Sequence, residues 1–289
     1  MEEATVACPA KVNLYLRILA REDTGYHQIE TLFQRVGLED TVSVSRAASG
    51  VSLQCVDGEG QATDVGADRD NTAVRAARAF LDRAGLDGGV AIRLTKRIPS
   101  GTGLGGASSD AAGTLEAMNR LYGLPLDTEE LMALGGSVGA DVPFFTSGAA
   151  LAWAWGRGDR LLPIAPLPEA TVVLAVPEER IATIEAYQAL SGALDLPRGP
   201  GRLPGPGAMT WDDVERLQFN DFEAMAFPGH PGFAEILESL RREGARVARM
   251  TGSGSALFGV FPDAEAGERA AEVLAETPGV QVLVTHTSV

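Results

Sequence analysis

The chain has 289 residues, of which 45% are hydrophobic and 22% charged, as in a globular protein of one large domain or two ordinary ones. Its net charge of −15 argues against a nucleic-acid partner, because a phosphate backbone requires a surplus of Lys and Arg. No run approaches the ~18 apolar residues of a membrane span and no secretory signal pattern begins the chain, so we expect a cytoplasmic protein with no membrane association.

The first half of the chain is predicted to form strands and then helices, which is typical of an α+β fold and not of βαβα alternation. Alternating residues predict strands at 12–18, 41–45, 51–56 and 90–98, with the polar residues of the first strand on one face. Helices are predicted within 70–85, 108–123 and 128–136. Their predicted capping and terminating residues are Asp70 or Asn71, Gly85, Gly123 and Asp127.

The second half is predicted to follow the order β-α-β-β-α-β, with one extra helical region, which is typical of a ferredoxin-like domain. The predicted strands are 171–176, 247–250, 256–261 and 280–287, and the predicted helices are 181–191, 211–225, 233–243 and 264–276. A loop is expected at 196–207, where Pro and Gly are frequent. We therefore expect two domains, 1–165 and 166–289.

The two cysteines, Cys8 and Cys55, form no CxxC pair and no cluster with histidines, which argues against a structural zinc site. Both lie in strand-like runs. We therefore expect buried, reduced thiols.

A glycine-rich loop, "IPSGTGLGGASSDAA", follows the strand at 90–98 and precedes a helix. Gly101, Gly103 and Gly106 spell GxGxxG, but no second parallel strand ending in an acidic residue follows about 20 residues on, which argues against a dinucleotide site. No Gly-Lys-Ser/Thr occurs, so the loop is not a Walker motif. Glycines and a helix N-terminus still favour a phosphate site, the alternative being a turn used only for close packing.

The loop from Pro99 to Ala112 resembles the phosphate-binding motif of the GHMP kinases, Pro-x-x-x-Gly-Leu-Gly-x-Ser-Ser, with one extra residue before Ser108. Further blocks in the right order resemble one branch of that family: "PAKVNLYLRI", "GYHQIETLFQ", "GADVPFF", "NDFE" and "MTGSGSALFGVF". The resemblance implies a fold like domain 2 of ribosomal protein S5 for the ATP-binding N-terminal domain and a ferredoxin-like C-terminal domain. It covers nearly the whole chain.

The resemblance implies transfer of the γ-phosphoryl group of ATP, with Mg²⁺, to the 2-hydroxyl group of a cytidine diphosphate sugar alcohol in the non-mevalonate isoprenoid pathway. A monomer or weak homodimer is expected. Two alternatives stay open. One is another GHMP small-molecule kinase, such as homoserine or phosphomevalonate kinase. The other is a non-catalytic nucleotide sensor, although such a sensor would be expected to lack Asp141 or Lys11, and both are present.

The resemblance implies two catalytic residues. Asp141 matches the family's catalytic aspartate, which accepts the proton of the attacking hydroxyl group; the alternative is a helix N-cap. Lys11 matches the second catalytic position, where it stabilises the transferred charge and holds Asp141 ionised; the alternative is an exposed strand lysine.

Substrate contacts are implied for five residues. Asn13 is assigned to the substrate hydroxyl groups, Tyr26 to the face of the cytosine and His27 to its edge. Thr183 aligns with a substrate-binding threonine and Tyr187 with a second aromatic, in a block that departs from the family's usual residues at Ala182 and Ile184.

ATP contacts are implied for the glycine loop and for two residues at the adenosine end, each of the latter with a structural alternative as a cap or a strand lysine. The set is Pro99, Ser100, Gly101, Thr102, Gly103, Leu104, Gly105, Gly106, Ala107, Ser108, Ser109, Asn71 and Lys96. The "TGSGS" loop that begins at Thr251 is expected beside the phosphates. Asp110 either favours the helix dipole or reaches Mg²⁺ through water, and no protein ligand of the metal is assigned.

Overall fold

The structure, a computed structural model, describes residues 2–23, 25–63, 71–123, 126–181, 186 and 209–289. The chain divides into two compact units. The first unit comprises Met1–Ala10, Leu38–Ser100 and Gly105–Ala149. The second unit comprises Lys11–Gly37, Gly101–Leu104 and Ala150–Val289. The predicted boundary between residues 165 and 166 stays a prediction.

Among the described residues three strands come first, one helix and one strand follow, and three consecutive helices then precede three further strands. The strands are β1 (Glu3–Arg21), β2 (His27–Ala47), β3 (Gly50–Asp57), β4 (Gly89–Lys96), β5 (Leu151–Gly156), β6 (Arg160–Pro163), β7 (Thr171–Pro177), β8 (Phe219–Asn220), β9 (Val247–Met250), β10 (Leu257–Phe261) and β11 (Val280–His286). The helices are α1 (Thr72–Ala84), α2 (Gly106–Tyr122), α3 (Thr128–Val138), α4 (Val142–Thr146), α5 (Trp211–Leu217), α6 (Glu223–Ala226), α7 (Pro231–Arg242) and α8 (Ala264–Ala275).

The larger sheet has the strand order β3-β4-β2-β1-β8, with β5 pairing β2 and β6 pairing β5. β3 runs parallel to β4, and β2 runs antiparallel to both β4 and β5. β1 and β2 are much longer than predicted. The polar face of β1 is also covered: Lys11 is 3% exposed and Asn13 2% exposed, so these side chains need partners inside the protein.

The predicted caps of the first helices are confirmed. The Asn71 side chain accepts a hydrogen bond from the Ala73 amide at the start of α1. Asp127 forms a capping box with Glu130 at the start of α3. Gly123 ends α2 in the left-handed region, with φ of 62°.

The second sheet is antiparallel with the order β11-β7-β10-β9, and α7 and α8 follow β7 and β10 in the chain. This is the predicted ferredoxin-like order. The core of the second unit includes the fully buried Phe233, Leu257 and Phe261.

One predicted helix, 211–225, is interrupted. α5 ends at Leu217, β8 then pairs in parallel with β1, and α6 begins at Glu223. The Asn220 side chain accepts a hydrogen bond from the Phe222 amide, which turns the chain between the two helices. Most of the predicted helix 181–191 and the predicted loop 196–207 lie outside the described residues.

Both cysteines are free and buried, as predicted. No helix in the described part of the chain has the length and hydropathy needed to cross a membrane.

Candidate active site

The glycine loop has a backbone that only glycine adopts readily. Gly101, Gly103 and Gly105 have φ values of 69°, 81° and 76°, in the left-handed region. Gly105 directly precedes α2, whose first turn is closed by the bond from the Ser109 amide to the Gly105 carbonyl at 2.9 Å. The loop therefore leads directly into the N-terminus of α2, a helix of 17 residues.

Three consecutive carbonyls of this loop accept hydrogen bonds within the second unit. The Thr102 carbonyl accepts from the Ala256 amide at 3.1 Å, and the Leu104 carbonyl accepts from the Lys11 amide at 2.9 Å. The Gly103 carbonyl accepts from the Thr251 hydroxyl at 3.2 Å. Because C=O and the following N–H point in opposite directions in a trans peptide, the next three amides face away from these partners. Successive backbone amides in a glycine-rich turn are suited to bind an anion.

Two glycines of the loop differ in their surroundings. A Cβ built on Gly103 would lie 2.1 Å from the Thr251 carbonyl oxygen, whereas one built on Gly101 meets nothing within 4 Å. Gly103 is therefore required by contact as well as by its φ. Thr251 begins the "TGSGS" loop, which was expected beside the phosphates.

Lys11 is oriented by its neighbours on the polar face of β1. Its ammonium donates to the Asn13 amide oxygen at 2.6 Å and lies 5.3 Å from the centroid of the Phe33 ring. The Asn13 oxygen also accepts from the Gly252 amide at 2.9 Å and from the Thr251 hydroxyl at 3.1 Å. The amide oxygen of Asn13 thus has three protein donors, and its assignment to substrate stays a prediction.

The "NDFE" block forms hydrogen bonds with the backbone at the start of the "TGSGS" loop. The Asn220 amide donates to the Met250 carbonyl at 2.7 Å and to the Gly252 carbonyl at 2.9 Å. Glu223 accepts from the Met250 amide at 2.8 Å and forms an ion pair with Arg249 at 3.0 Å. The sequence identified this block only as a family landmark, so its positioning role emerges from the structure.

Asp141 belongs to the first unit and directly precedes α4. Its side chain makes no capping hydrogen bond, although Asp141 occupies the N-cap position. The helix-cap alternative is therefore wrong. The role of this aspartate as a base stays a prediction.

The beginning of α2 is tied to α1. The Thr72 hydroxyl donates to the Ala107 carbonyl at 2.7 Å, next to the capping residue Asn71. Ser109 is 1% exposed, and its hydroxyl has no partner among the described residues. A buried hydroxyl group without a partner favours a ligand at this point.

Lys96 lies between two carboxylates of the first unit. Its ammonium donates to Asp40 and, at 2.7 Å, to Asp110. Burial acts to lower the pKa of Lys96, but Asp110 and Asp40 outweigh it, so this pKa lies above its ordinary value. Burial raises the pKa of Asp110 to about 7; the charge of Asp40 adds to the rise and Lys96 opposes it. No sequence pattern identified Asp40 as a partner of Lys96, and contact of Lys96 with ATP stays a prediction.

Tyr26 is 57% exposed and is held at one face by an arginine. The Arg157 guanidinium carbon lies 4.1 Å from the centroid of the Tyr26 ring, and its Nε is 3.2 Å from both carboxylate oxygens of Glu22. Burial and then Arg21 lower the pKa of the neighbouring His27. Arg157 is 131 residues from Tyr26 in the chain, so no sequence pattern linked them.

Two predicted substrate residues, Thr183 and Tyr187, lie outside the described residues. Lys11, Asn13, Tyr26 and His27 all belong to the second unit.

Family models match both halves of the chain. Residues 71–149 match the GHMP kinases N terminal domain, and residues 208–279 match the GHMP kinases C terminal domain. The predicted α+β, two-domain GHMP kinase fold is therefore confirmed.

Similar proteins cover almost the whole chain. 4-Diphosphocytidyl-2-C-methyl-D-erythritol kinase of Solibacter usitatus is 41% identical, over 92% of this chain and 84% of that protein. The protein of the same name from Syntrophotalea carbinolica is also 41% identical, over 94% of each chain. A solved structure of 4-(cytidine 5'-diphospho)-2C-methyl-D-erythritol kinase superposes with a TM-score of 0.82 at 37% identity, over 99% of each chain. The chain belongs to the GHMP kinase family and, within it, to the 4-diphosphocytidyl-2-C-methyl-D-erythritol kinases.

Proposed function

We propose that this ATP-dependent small-molecule kinase phosphorylates the 2-hydroxyl group of 4-diphosphocytidyl-2-C-methyl-D-erythritol, a step of the non-mevalonate isoprenoid pathway. The observation that carries the proposal is the glycine loop, whose carbonyls at Thr102, Gly103 and Leu104 are held by the protein. The amides that follow them face the opposite way, as a phosphate chain requires. The identity of the acceptor substrate is supported by two relatives of this name that are 41% identical to the chain.

The phosphates of ATP are bound by the loop amides and by the N-terminus of α2. The positive end of a helix macrodipole favours an anion, and the amides of its first turn supply donors. Ser108 and Ser109 add hydroxyl groups. At the adenosine end we assign Asn71 and the backbone near Lys96, because the Lys96 ammonium is already engaged by two carboxylates.

Magnesium fits the first two turns of α2. The Ser109 hydroxyl and one carboxylate oxygen of Asp110 are buried and lack a hydrogen-bond partner among the described residues. Oxygen atoms of this kind are the donors that Mg²⁺ prefers. We propose that these two residues hold the ion that arrives with ATP, directly or through water. Bound there, Mg²⁺ neutralises charge on the phosphates.

Transfer is direct, from ATP to the acceptor hydroxyl group. Asp141 accepts the proton of that hydroxyl as the oxygen attacks the γ-phosphorus and ADP leaves. Lys11 stabilises the negative charge on the transferred group. Asn13, through its bond to the Lys11 ammonium, keeps that cation in a fixed direction.

The cytosine is recognised by an aromatic face and by a neutral imidazole. Arg157 covers one face of Tyr26, and the base stacks on the ring's exposed part. His27 offers one donor and one acceptor to the base edge when it is neutral. Thr183 and Tyr187 complete the pocket by their position in the family.

We further propose a cytoplasmic enzyme, a monomer or weak homodimer without a nucleic-acid partner, with domains at 1–165 and 166–289. The net charge of −15 supports the exclusion of nucleic acid.

The function is tested by ADP release from Mg·ATP with purified 4-diphosphocytidyl-2-C-methyl-D-erythritol, with homoserine and phosphomevalonate in parallel. We expect release with the cytidine compound alone. Release only with another acceptor would remove the substrate assignment and the roles of Tyr26 and His27. ATP binding with no release from any acceptor would favour a nucleotide sensor.

A further inference from the structure

We propose that Asp40, acting through Lys96 and Asp110, is a positioning residue that fixes both ends of the glycine loop before ATP binds. The inference rests on the proposed function in so far as this loop binds ATP. Asp40 has no predicted role in the sequence and no place in the catalytic assignment.

The first contact is with the chain that enters the loop. One carboxylate oxygen of Asp40 accepts from the Arg97 amide at 2.5 Å and from the Ile98 amide at 2.8 Å. These amides immediately precede Pro99, the first residue of the loop. Because a charged acceptor forms short, strong hydrogen bonds with amides, Asp40 sets the direction in which the backbone leaves β4.

The second contact is with the helix that leaves the loop. The other oxygen of Asp40 accepts from the Lys96 ammonium, which also donates to Asp110 at 2.7 Å. Asp110 lies in the second turn of α2. The helix is therefore connected to β2 through Lys96, which donates to both Asp110 and Asp40. A Cβ built on Gly106, the first residue of α2, would lie 3.2 Å from the Lys96 ammonium nitrogen. The Lys96 ammonium thus packs against Gly106, where the loop ends and α2 begins.

Burial makes this arrangement rigid. The side chain of Asp40 is 0% exposed, that of Asp110 4% and that of Lys96 11%. Removing one partner from such a group leaves a buried charge uncompensated, so the three side chains hold one geometry. A single carboxylate on β2 therefore links the entry and the exit of the phosphate loop.

Asp40→Asn is the first test, with Glu39→Gln as its matched control. Glu39 is the adjacent residue on β2 and is exposed, so its substitution removes one charge of the same sign without touching the loop. Asp110→Asn is the second variant, because among the described residues the Asp110 carboxylate accepts one hydrogen bond whereas that of Asp40 accepts three, so its substitution disturbs folding less. Three quantities are measured in the full chain: KM for ATP, KM for the cytidine substrate and kcat.

A fourth measurement separates positioning from direct contact with ATP or Mg²⁺. Amide hydrogen exchange of peptides spanning 97–110 is followed with neither ligand present. We expect Asp40→Asn to raise KM for ATP about tenfold and Asp110→Asn about threefold, with KM for the cytidine substrate within twofold of the unmodified chain. We expect exchange in 97–110 to be faster than in Glu39→Gln for both variants.

Unchanged exchange in 97–110 for the folded variants would overturn the inference, as would KM values for ATP equal to that of Glu39→Gln. A rise in KM for ATP without faster exchange would leave Asp110 with its proposed contact to Mg²⁺ alone and would overturn its part in positioning the loop. If the unmodified chain and Glu39→Gln neither bind ATP nor release ADP, the proposed function fails. The exchange measurement still decides whether Asp40 fixes the loop.

Discussion

The two lysines of the chain have different surroundings. In the first unit, the Lys96 ammonium donates to the carboxylates of Asp40 and Asp110. In the second unit, the Lys11 ammonium donates to the amide oxygen of Asn13 and lies over the ring of Phe33. The carboxylates fix Lys96 within a cluster of the first unit, whereas the amide and the ring orient the Lys11 ammonium.

We propose that Lys96 is a structural cation and that Lys11 is a catalytic one. The charge of Lys96 serves the geometry of the glycine loop, and the charge of Lys11 is suited to a transferred phosphoryl group. Substitutions near Lys96 should therefore act on the KM for ATP, and substitutions at Lys11 should act on kcat.

The largest decrease in kcat is expected for a substitution of Asp141, and the effects of substitutions near the two lysines are compared with it. Asp141→Asn should lower kcat by about 10²–10⁴-fold, because the attacking hydroxyl loses its proton acceptor. Both KM values should change little. Steady-state kinetics with both substrates measure this, and turnover close to that of the unmodified chain would remove Asp141 as the base.

Lys11→Met should lower kcat by about 10²–10³-fold, the effect of removing one donor aimed at developing charge. Its KM for ATP should stay within a few-fold, in contrast to the effect of Asp40→Asn. The measurement is kcat and KM for ATP under identical conditions. A rise in KM for ATP with unchanged kcat would make Lys11 a structural cation like Lys96.

Arg157→Ala should raise KM for the cytidine substrate about two- to fivefold, the size of effect expected from an exposed cation–π contact. The arginine holds one face of Tyr26, so its loss frees the ring before the base arrives. Arg160→Ala, at a nearby exposed position, is the control. Equal KM values in the two variants would exclude this role of Arg157.

The smallest effect is a pH dependence of substrate binding. Burial lowers the pKa of His27, so the imidazole stays neutral at and above its ordinary pKa of ~6.5. KM for the cytidine substrate should therefore be flat from pH 7 to 8. It should rise about twofold only as the pH falls through the lowered pKa and the imidazole gains a proton. His27→Asn should have a flat profile throughout, and a profile unchanged by that substitution would assign the dependence to another group.

Local signals predicted where α1 and α3 begin. Asn71 and Asp127 cap α1 and α3 because their side chains reach amides two and three residues away, which a sequence displays directly. The glycine loop was predicted for the same reason. Its positive φ values follow from the glycines themselves.

Long-range partners were not predictable. Asp40 bonds to residues 56–58 positions away, and one aspartate in a strand carries no sign of them. The alternation in β1 correctly placed Lys11 and Asn13 on the face opposite the apolar residues, but both side chains are buried. They are covered by the "TGSGS" loop, in which Thr251 bonds to Asn13 although the two residues are 238 positions apart in the chain. The prediction of one helix over 211–225 missed β8. Pairing of β8 with β1 is a tertiary contact, and it overrides the helix propensity of this segment.

The contact between Gly103 and Thr251 also bears on how much sequence variation the loop tolerates. In the sequence, Gly101 and Gly103 are equivalent members of one motif. At Gly101 an asparagine, which tolerates the left-handed region, would meet open space. At Gly103 any added side chain would collide with a backbone oxygen 2.1 Å away. A mutational library of this loop should therefore recover folded Asn variants at position 101 more often than at position 103.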